Sequence, residues 1–138
     1  MTNITAEYQG ARIGLGTMSS SSLTLPLFDP AAVEKLRKVA GDLDPGFVAE
    51  MAQLFLTETE RALGELEAAA ERGDASAMAR QAHSMKSSAA TLGLMKLSHA
   101  CLSLETQAKN EAGPDASALV TMVRAQFDHV TPILKKLA

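Results

Sequence analysis

The sequence predicts an all-α fold, an antiparallel up-and-down four-helix bundle with a short additional N-terminal helix. Apolar residues recur at spacings of three and four along each ordered segment, and no segment alternates apolar and polar residues as a half-buried strand does. Apolar residues make up 46% of the 138 residues and aromatic residues only 4%, so Leu, Ala, Met and Val must form the core. Short connections between consecutive segments favour antiparallel packing.

Residues 1–28 are predicted to be a flexible N-terminal tail, and residues 29–138 the helical domain. The tail combines glycines and a run of serines with apolar residues that have no steady period. The first helix is expected to follow Asp29, a good capping residue, with Pro30 in its first position. It should end at Gly41, because glycine readily adopts the left-handed conformation found at helix ends.

The same start and stop signals predict the second and third helices. Asp44 and Pro45 are expected to open a long second helix that runs to Gly73. Asp74 is expected to cap a third helix, which stops at Gly93. The apolar row of the second helix comprises Val48, Met51, Phe55, Ala62, Leu66 and Ala69.

Two further helices complete the predicted bundle. A fourth, from about 94 to 112, has the apolar row Leu97, Cys101, Leu104 and Ala108, and Gly113 and Pro114 follow it. The last helix, 115–137, has the row Leu119, Val123, Phe127, Val130, Leu134 and Leu137. Pro132 removes one backbone donor, so it should kink this helix rather than end it.

Composition and charge argue against several classes of function. A net charge of -3 without clustered Lys and Arg disfavours nucleic acid as a partner. No apolar run approaches the roughly 18 residues of a membrane span, and no leader pattern is present, so we expect a cytoplasmic protein that does not bind membranes. Cys101, the single cysteine, is expected in the core. Zinc-type spacings and glycine-rich phosphate loops are absent, so neither a metal nor a cofactor is expected.

The third helix is predicted to place a histidine on its outer face. Its buried stripe comprises Met78, Ala82, Met85, Ala89 and Leu92. At about 100° per residue, His83 projects about 140° from the centre of that stripe, so it should face solvent. Its neighbours on the helix surface are Ala79, Arg80, Lys86 and Ser87, with Ala90 one turn further along. Low side chains and two cations thus surround an accessible imidazole.

This arrangement suits phosphoryl chemistry shared with a second protein. A neutral imidazole is a nucleophile without help from a neighbouring base. The adjacent cations would attract the oxygens of an incoming phosphoryl group. The helix face lacks carboxylates that could hold Mg²⁺, so any metal and any acidic partner residue must come from another protein.

The segment "AHSMKSSAATLG", followed by "LMKLSHACLSLE", resembles the signature of histidine-containing phosphotransfer (HPt) domains. That signature reads A-H-x-L-K-G-S-S-x-x-L-G, with a Cys and a Leu-Glu pair on the next helix. Cys101, Leu104 and Glu105 match the later part, and the specific motif spans residues 82–105. The resemblance implies a helical bundle in which His83 takes a phosphoryl group from a receiver-domain aspartate and passes it to another receiver.

The resemblance also implies roles for the neighbours of His83. Lys86 would steady the phosphohistidine, and Ala79, Arg80 and Ala90 would lie where a receiver docks. Ser87 departs from the family pattern, which has glycine at that position. Its Cβ and hydroxyl would narrow access to the ring or hydrogen-bond it, and we group it with Lys86 as a residue that supports the phosphohistidine.

The protein implied is a carrier rather than an enzyme, and we expect it to be a monomer. Its partners would be receiver domains of hybrid histidine kinases and response regulators. Two alternatives remain open: direct phosphorylation by the ATP-binding domain of a histidine kinase, and a helical adaptor that binds partners without phosphorylation. His99 and His129 are expected to be surface residues without a functional role.

Overall fold

The computed structural model describes residues 25–41, 44–110 and 115–138. Within these ranges the chain forms five helices and no strand: α1 Pro30–Ala40, α2 Phe47–Glu71, α3 Ala75–Thr91, α4 Met95–Lys109 and α5 Asp115–Leu137. Helices α2 to α5 pack in a ring in chain order, α5 returns to α2, and α1 lies against α2 and α3. The predicted four-helix bundle with an extra N-terminal helix is confirmed. None of the described helices is long and apolar enough to cross a membrane.

The predicted caps are correct for two helices and wrong for one. The Asp29 carboxylate accepts from the backbone N–H of Ala31 at 3.0 Å, and Asp74 accepts from that of Ala77 at the same distance. Asp44 does not cap α2, because its carbonyl accepts from the Phe47 N–H in a turn before the helix, and Gly46 takes the capping position without a side-chain bond.

The end of α4 also differs from the prediction. The helix ends at Lys109, three residues before the predicted end, and Asn110 occupies the C-cap position. Residues 111–114, which include the predicted Gly-Pro terminator, lie outside the described residues, as do residues 1–24 of the predicted tail. Helix α5 continues through Pro132; the predicted kink stays a prediction.

Gly93 joins three helices. It ends α3 with a φ of 79°, a conformation that side chains with a Cβ rarely adopt. Its carbonyl accepts from the backbone N–H of Asp29 at 2.8 Å, which fixes the start of α1 against the turn between α3 and α4. A Cβ on Gly93 would clash with the Asp29 carbonyl oxygen and press on Ala32, so only glycine permits this approach.

Most residues of the predicted apolar rows lie in the core, and the remaining three, Met51, Leu119 and Leu137, are half-buried against it. All five residues of the α3 stripe and all four of the α4 row are buried. Phe55 of α2 and Phe127 of α5 pack with ring centroids 6.3 Å apart. Leu27 and Phe28, which the sequence assigns to the tail, pack against this core, so packing begins before the predicted domain start.

A cluster of ion pairs, the Arg124 cluster, joins α2 and α5. Two guanidinium nitrogens of Arg124 donate to the two carboxylate oxygens of Glu67, both at 3.1 Å. A third donates to Glu60 at 2.9 Å. Both acids attract the guanidinium strongly enough to raise the pKa of Arg124 further above its ordinary value.

Candidate functional site

His83 lies on the outer face of α3, with 63% of its side chain exposed. The predicted orientation is therefore correct. One edge of the ring is nevertheless engaged, because Nδ1 lies 2.9 Å from Oε2 of Glu105 on α4. This contact spans two helices and gives the imidazole a fixed partner.

Glu105 is the centre of the site, and only 6% of its side chain is exposed. Lys86 Nζ donates to its Oε1 at 2.7 Å. Lys109 Nζ donates to its Oε2 at 2.9 Å, the same oxygen that His83 contacts. A buried carboxylate is costly unless it is paired and hydrogen-bonded, and these three partners satisfy it. We call His83, Lys86, Glu105 and Lys109 the Glu105 cluster.

The charge of this carboxylate sets the form of the ring. The hydrogen bond from Lys86 and then that from Lys109 lower the pKa of Glu105 to about 2, although its burial acts in the opposite direction. Glu105 is therefore ionised at neutral pH and can only accept hydrogen bonds. Nδ1 must be the protonated nitrogen of the neutral ring, and Nε2 then carries the free lone pair.

The surrounding residues hold the cluster in register. Ser98 of α4 donates its hydroxyl to the backbone carbonyl of Lys86 at 3.1 Å, a second bond between α3 and α4 beside the ion pairs. Cys101 is buried as predicted, and burial raises the pKa of its thiol to about 12. A neutral buried thiol is a core side chain rather than a nucleophile.

The other predicted residues lie around the ring without bonding to it. Arg80 is exposed and donates to Ser76 at 3.0 Å, and Ser87 is exposed. Within the described part of the chain, the Ser87 hydroxyl bonds neither the ring nor another side chain; only its carbonyl accepts, from Thr91. Ala90 is exposed as well, whereas Ala79 is half-buried against the core.

The two remaining histidines are not part of this site. His129 is exposed on α5, as expected. His99 is half-buried rather than fully at the surface, and its burial lowers its pKa.

The sequence motif includes Glu105 but does not indicate its contacts, and no sequence pattern indicates Lys109. One signal was present, because Glu105 lies four residues after Cys101, and so on the buried side of α4. An acidic residue in a buried row needs a partner, and His83 and Lys86 are near it in space.

A groove of about 350 Å³ runs between α2 and α3. It lies beside the ridge formed by the outer face of α3, which carries His83. Ser84, Ser88 and Thr91 line its α3 wall, and Met51 and Leu54 line its α2 wall. Leu54 is 61% exposed, so this edge of the groove is apolar.

Comparisons with known proteins identify the fold and the family of this chain. The family model of the Hpt domain matches residues 50–131 of the chain. Histidine-containing phosphotransfer protein B from Pseudomonas aeruginosa is 26% identical, with a TM-score of 0.74 over 82% of this chain and 95% of that one. The maize histidine-containing phosphotransfer protein ZmHP2 has the same fold at 24% identity, with a TM-score of 0.72 over 92% of this chain and 94% of that one.

A comparison with curated protein sequences finds no match. The family model alone covers more than half of the chain, and it includes His83, Lys86 and Glu105. The chain therefore belongs to the Hpt domain family of histidine-containing phosphotransfer proteins.

Proposed function

We propose that this protein is a phosphorelay intermediate in which His83 accepts a phosphoryl group from the aspartate of one receiver domain and passes it to a second receiver. One observation carries the proposal: the buried Glu105 carboxylate, which is paired with two lysines, lies 2.9 Å from Nδ1 of an exposed imidazole. That contact keeps the proton on Nδ1, so Nε2, on the far side of the ring, has the lone pair that a nucleophile needs.

The transfer needs no general base from this protein. The lone pair of Nε2 attacks the phosphorus of the receiver's aspartyl phosphate. The N–P bond forms as the bond from phosphorus to the aspartate oxygen breaks, and the aspartate leaves as a carboxylate. Nδ1 keeps its proton, so the ring gains a positive charge that the nearby Glu105 carboxylate stabilises. Onward transfer is the reverse reaction with the second receiver's carboxylate as the nucleophile.

Lys86 is placed to neutralise charge during this transfer. Its ammonium has three donors and uses one on Glu105 at 2.7 Å, which leaves others for phosphoryl oxygens. Phosphoryl transfer depends mainly on positioning and on charge neutralisation. The receiver would supply the remaining parts, a magnesium ion and the aspartate.

The surface around His83 suits a protein partner. Arg80 and Ala90 are exposed beside the ring, and Ala79 lies low against the core. The apolar edge at Leu54 in the neighbouring groove would extend the contact. We assign this ridge and groove to receiver docking.

The test is phosphotransfer from a purified receiver that carries labelled aspartyl phosphate. We expect acid-labile, alkali-stable label on the wild-type protein and none on His83→Gln. His129→Gln, which alters another exposed histidine of the bundle, is the matched control and should be labelled normally. Equal labelling of His83→Gln and wild type would refute the assignment.

Two further assays test the two alternatives. Label that appears with ATP and a histidine-kinase ATP-binding domain, without any receiver, would indicate direct phosphorylation. A receiver that binds wild type and His83→Gln equally, while no phosphoryl group moves, would indicate an adaptor.

A further inference from the structure

Lys109 shares one carboxylate oxygen with the reactive histidine. Its Nζ and the Nδ1 of His83 both lie 2.9 Å from Oε2 of Glu105, so the two nitrogens are within two hydrogen-bond lengths of each other. Lys86 uses the other oxygen, Oε1. Lys109 lies at the end of α4, four residues after Glu105, and beyond the motif that identifies the family.

We propose that Lys109 opposes the positive charge that the His83 ring gains, and so favours release of the phosphoryl group to the next receiver. The second half of this statement rests on the proposed function. Lys109 acts through Glu105, and it is distinct in role from Lys86, which would stabilise the phosphoryl group itself.

The charges around the ring support this role. When Nε2 is phosphorylated, the ring becomes a cation whose N–H points at Oε2, where the Lys109 ammonium is already bound. Three positive groups then surround a single carboxylate. Like charges at this separation repel, and the acceptor oxygen must be shared between two donors.

Lys109 is not needed to keep Glu105 in place. Lys86 binds the other oxygen, Oε1, at 2.7 Å, and Ser98 bonds α4 to α3, so neither of these contacts involves Lys109. Replacing Lys109 should therefore leave the ring on Oε2 as its only partner and strengthen that contact. The side chain of Lys109 is 63% exposed, so solvent screening limits the effect to at most about fivefold in an equilibrium constant.

The test measures how a phosphoryl group divides between this protein and a receiver at equilibrium. Lys109→Gln should raise the ratio of phosphorylated protein to phosphorylated receiver by about two- to fivefold. Lys109→Arg keeps the charge and should match wild type. Lys136→Gln removes an exposed lysine from the last turn of α5 and is the matched control. The gain in Lys109→Gln should shrink as salt is added, which a purely structural change would not do.

A second measurement keeps the inference independent of phosphotransfer. The ¹⁵N chemical shift of Nδ1 of His83 reports the strength of its hydrogen bond to Glu105 without any phosphoryl group. Because Lys109 shares Oε2 with the ring, this shift should indicate a stronger hydrogen bond in Lys109→Gln than in wild type or Lys136→Gln. If Lys109→Gln leaves either the Nδ1 shift or the phosphoryl ratio unchanged, or lowers the ratio, the inference is wrong even where His83 is labelled normally. Absence of label on every variant would overturn the proposed function, and the Nδ1 shift would then decide whether Lys109 weakens the contact between the ring and Glu105.

Discussion

Two ion clusters lie on opposite sides of the four-helix ring, the Glu105 cluster between α3 and α4 and the Arg124 cluster between α2 and α5. Glu105 is one buried anion held by two lysines and a histidine. Arg124 is one partly exposed cation held by the exposed Glu60 and the half-buried Glu67. Both join helices, but only the Glu105 cluster includes a side chain that is free to react.

The two clusters differ in which of their groups remain available to another molecule. Arg124 uses its guanidinium on both oxygens of Glu67 and one of Glu60, a geometry that leaves little for another partner. At Glu105 the positive groups outnumber the single carboxylate, and the histidine ring has a second nitrogen that faces no protein partner among the described residues. Under the proposed function, the excess positive charge beside an exposed lone pair makes the Glu105 cluster the reactive one, whereas the saturated Arg124 cluster fits a structural role.

Removing the central charge of the reactive cluster should have the largest effect. In Glu105→Gln, the amide can donate to Nδ1 and shift the ring proton to Nε2, which blocks the nucleophile. We expect the rate of phosphotransfer to fall by about ten- to a hundredfold, the value of a hydrogen bond to a charged group. The rate of labelling by a phosphorylated receiver measures this loss.

A slower transfer in Glu105→Gln can be assigned to the lost charge only if the variant is folded. Circular dichroism of Glu105→Gln should match wild type, and ¹⁵N chemical shifts of the His83 ring should show the proton moving to Nε2. A variant that transfers at the wild-type rate would show that the tautomer held by Glu105 is not required.

Acid should weaken the Glu105 cluster by protonating its central carboxylate. Lys86 and Lys109 hold the pKa of Glu105 at about 2 in the folded chain, against an ordinary value of 4.5. Glu105 therefore stabilises the fold fully above the unfolded pKa, and this contribution is lost as the pH falls from 4.5 towards 2. Urea unfolding from about pH 6 to about pH 2 should show a smaller loss of stability in Glu105→Gln than in wild type. Parallel curves for the two proteins would contradict the depressed pKa.

Breaking the Arg124 cluster should change stability without changing transfer. Arg124→Met keeps the apolar stem and removes the charge, so Glu60 and Glu67 lose their partner. We expect a loss of about 1 kcal/mol in the free energy of unfolding, as for a partly exposed ion-pair network. The measurement is chemical denaturation together with labelling at His83, which should proceed at the wild-type rate. Slower labelling would mean that the two sides of the bundle are coupled.

The sequence predicts part of the Glu105 cluster and none of the Arg124 cluster. The periodicity of α3 alone predicts that His83 is exposed and that its stripe is buried, because one helix fixes those directions. The contact from His83 to Glu105 depends on how α3 and α4 are rotated against each other, and no local rule determines that rotation. The partners of Arg124 lie 57 and 64 residues away in sequence, beyond any spacing argument. Asp44 failed as a predicted cap for a local reason, since Gly46 and the preceding turn offered a competing start to α2.

The smallest effect is expected at the edge of the reactive cluster, at Ser87. Its hydroxyl bonds nothing on the ring, so Ser87→Gly should leave the rate of transfer from a receiver that already fits within about twofold of wild type, since surface changes are worth about 0.5 kcal/mol or less. Glycine inside a helix should lower the free energy of unfolding by about 0.5 to 1 kcal/mol.

A panel of receivers would test a second effect of Ser87→Gly, on partner range, because removing the Cβ beside the ring should admit receivers that transfer poorly to wild type. Ala125→Gly, at an exposed position inside α5 and away from the docking surface, is the matched control: it should lower helix stability in the same way and should not widen that range. If Ser87→Gly abolished transfer, the serine hydroxyl would have to be counted as a functional member of the Glu105 cluster.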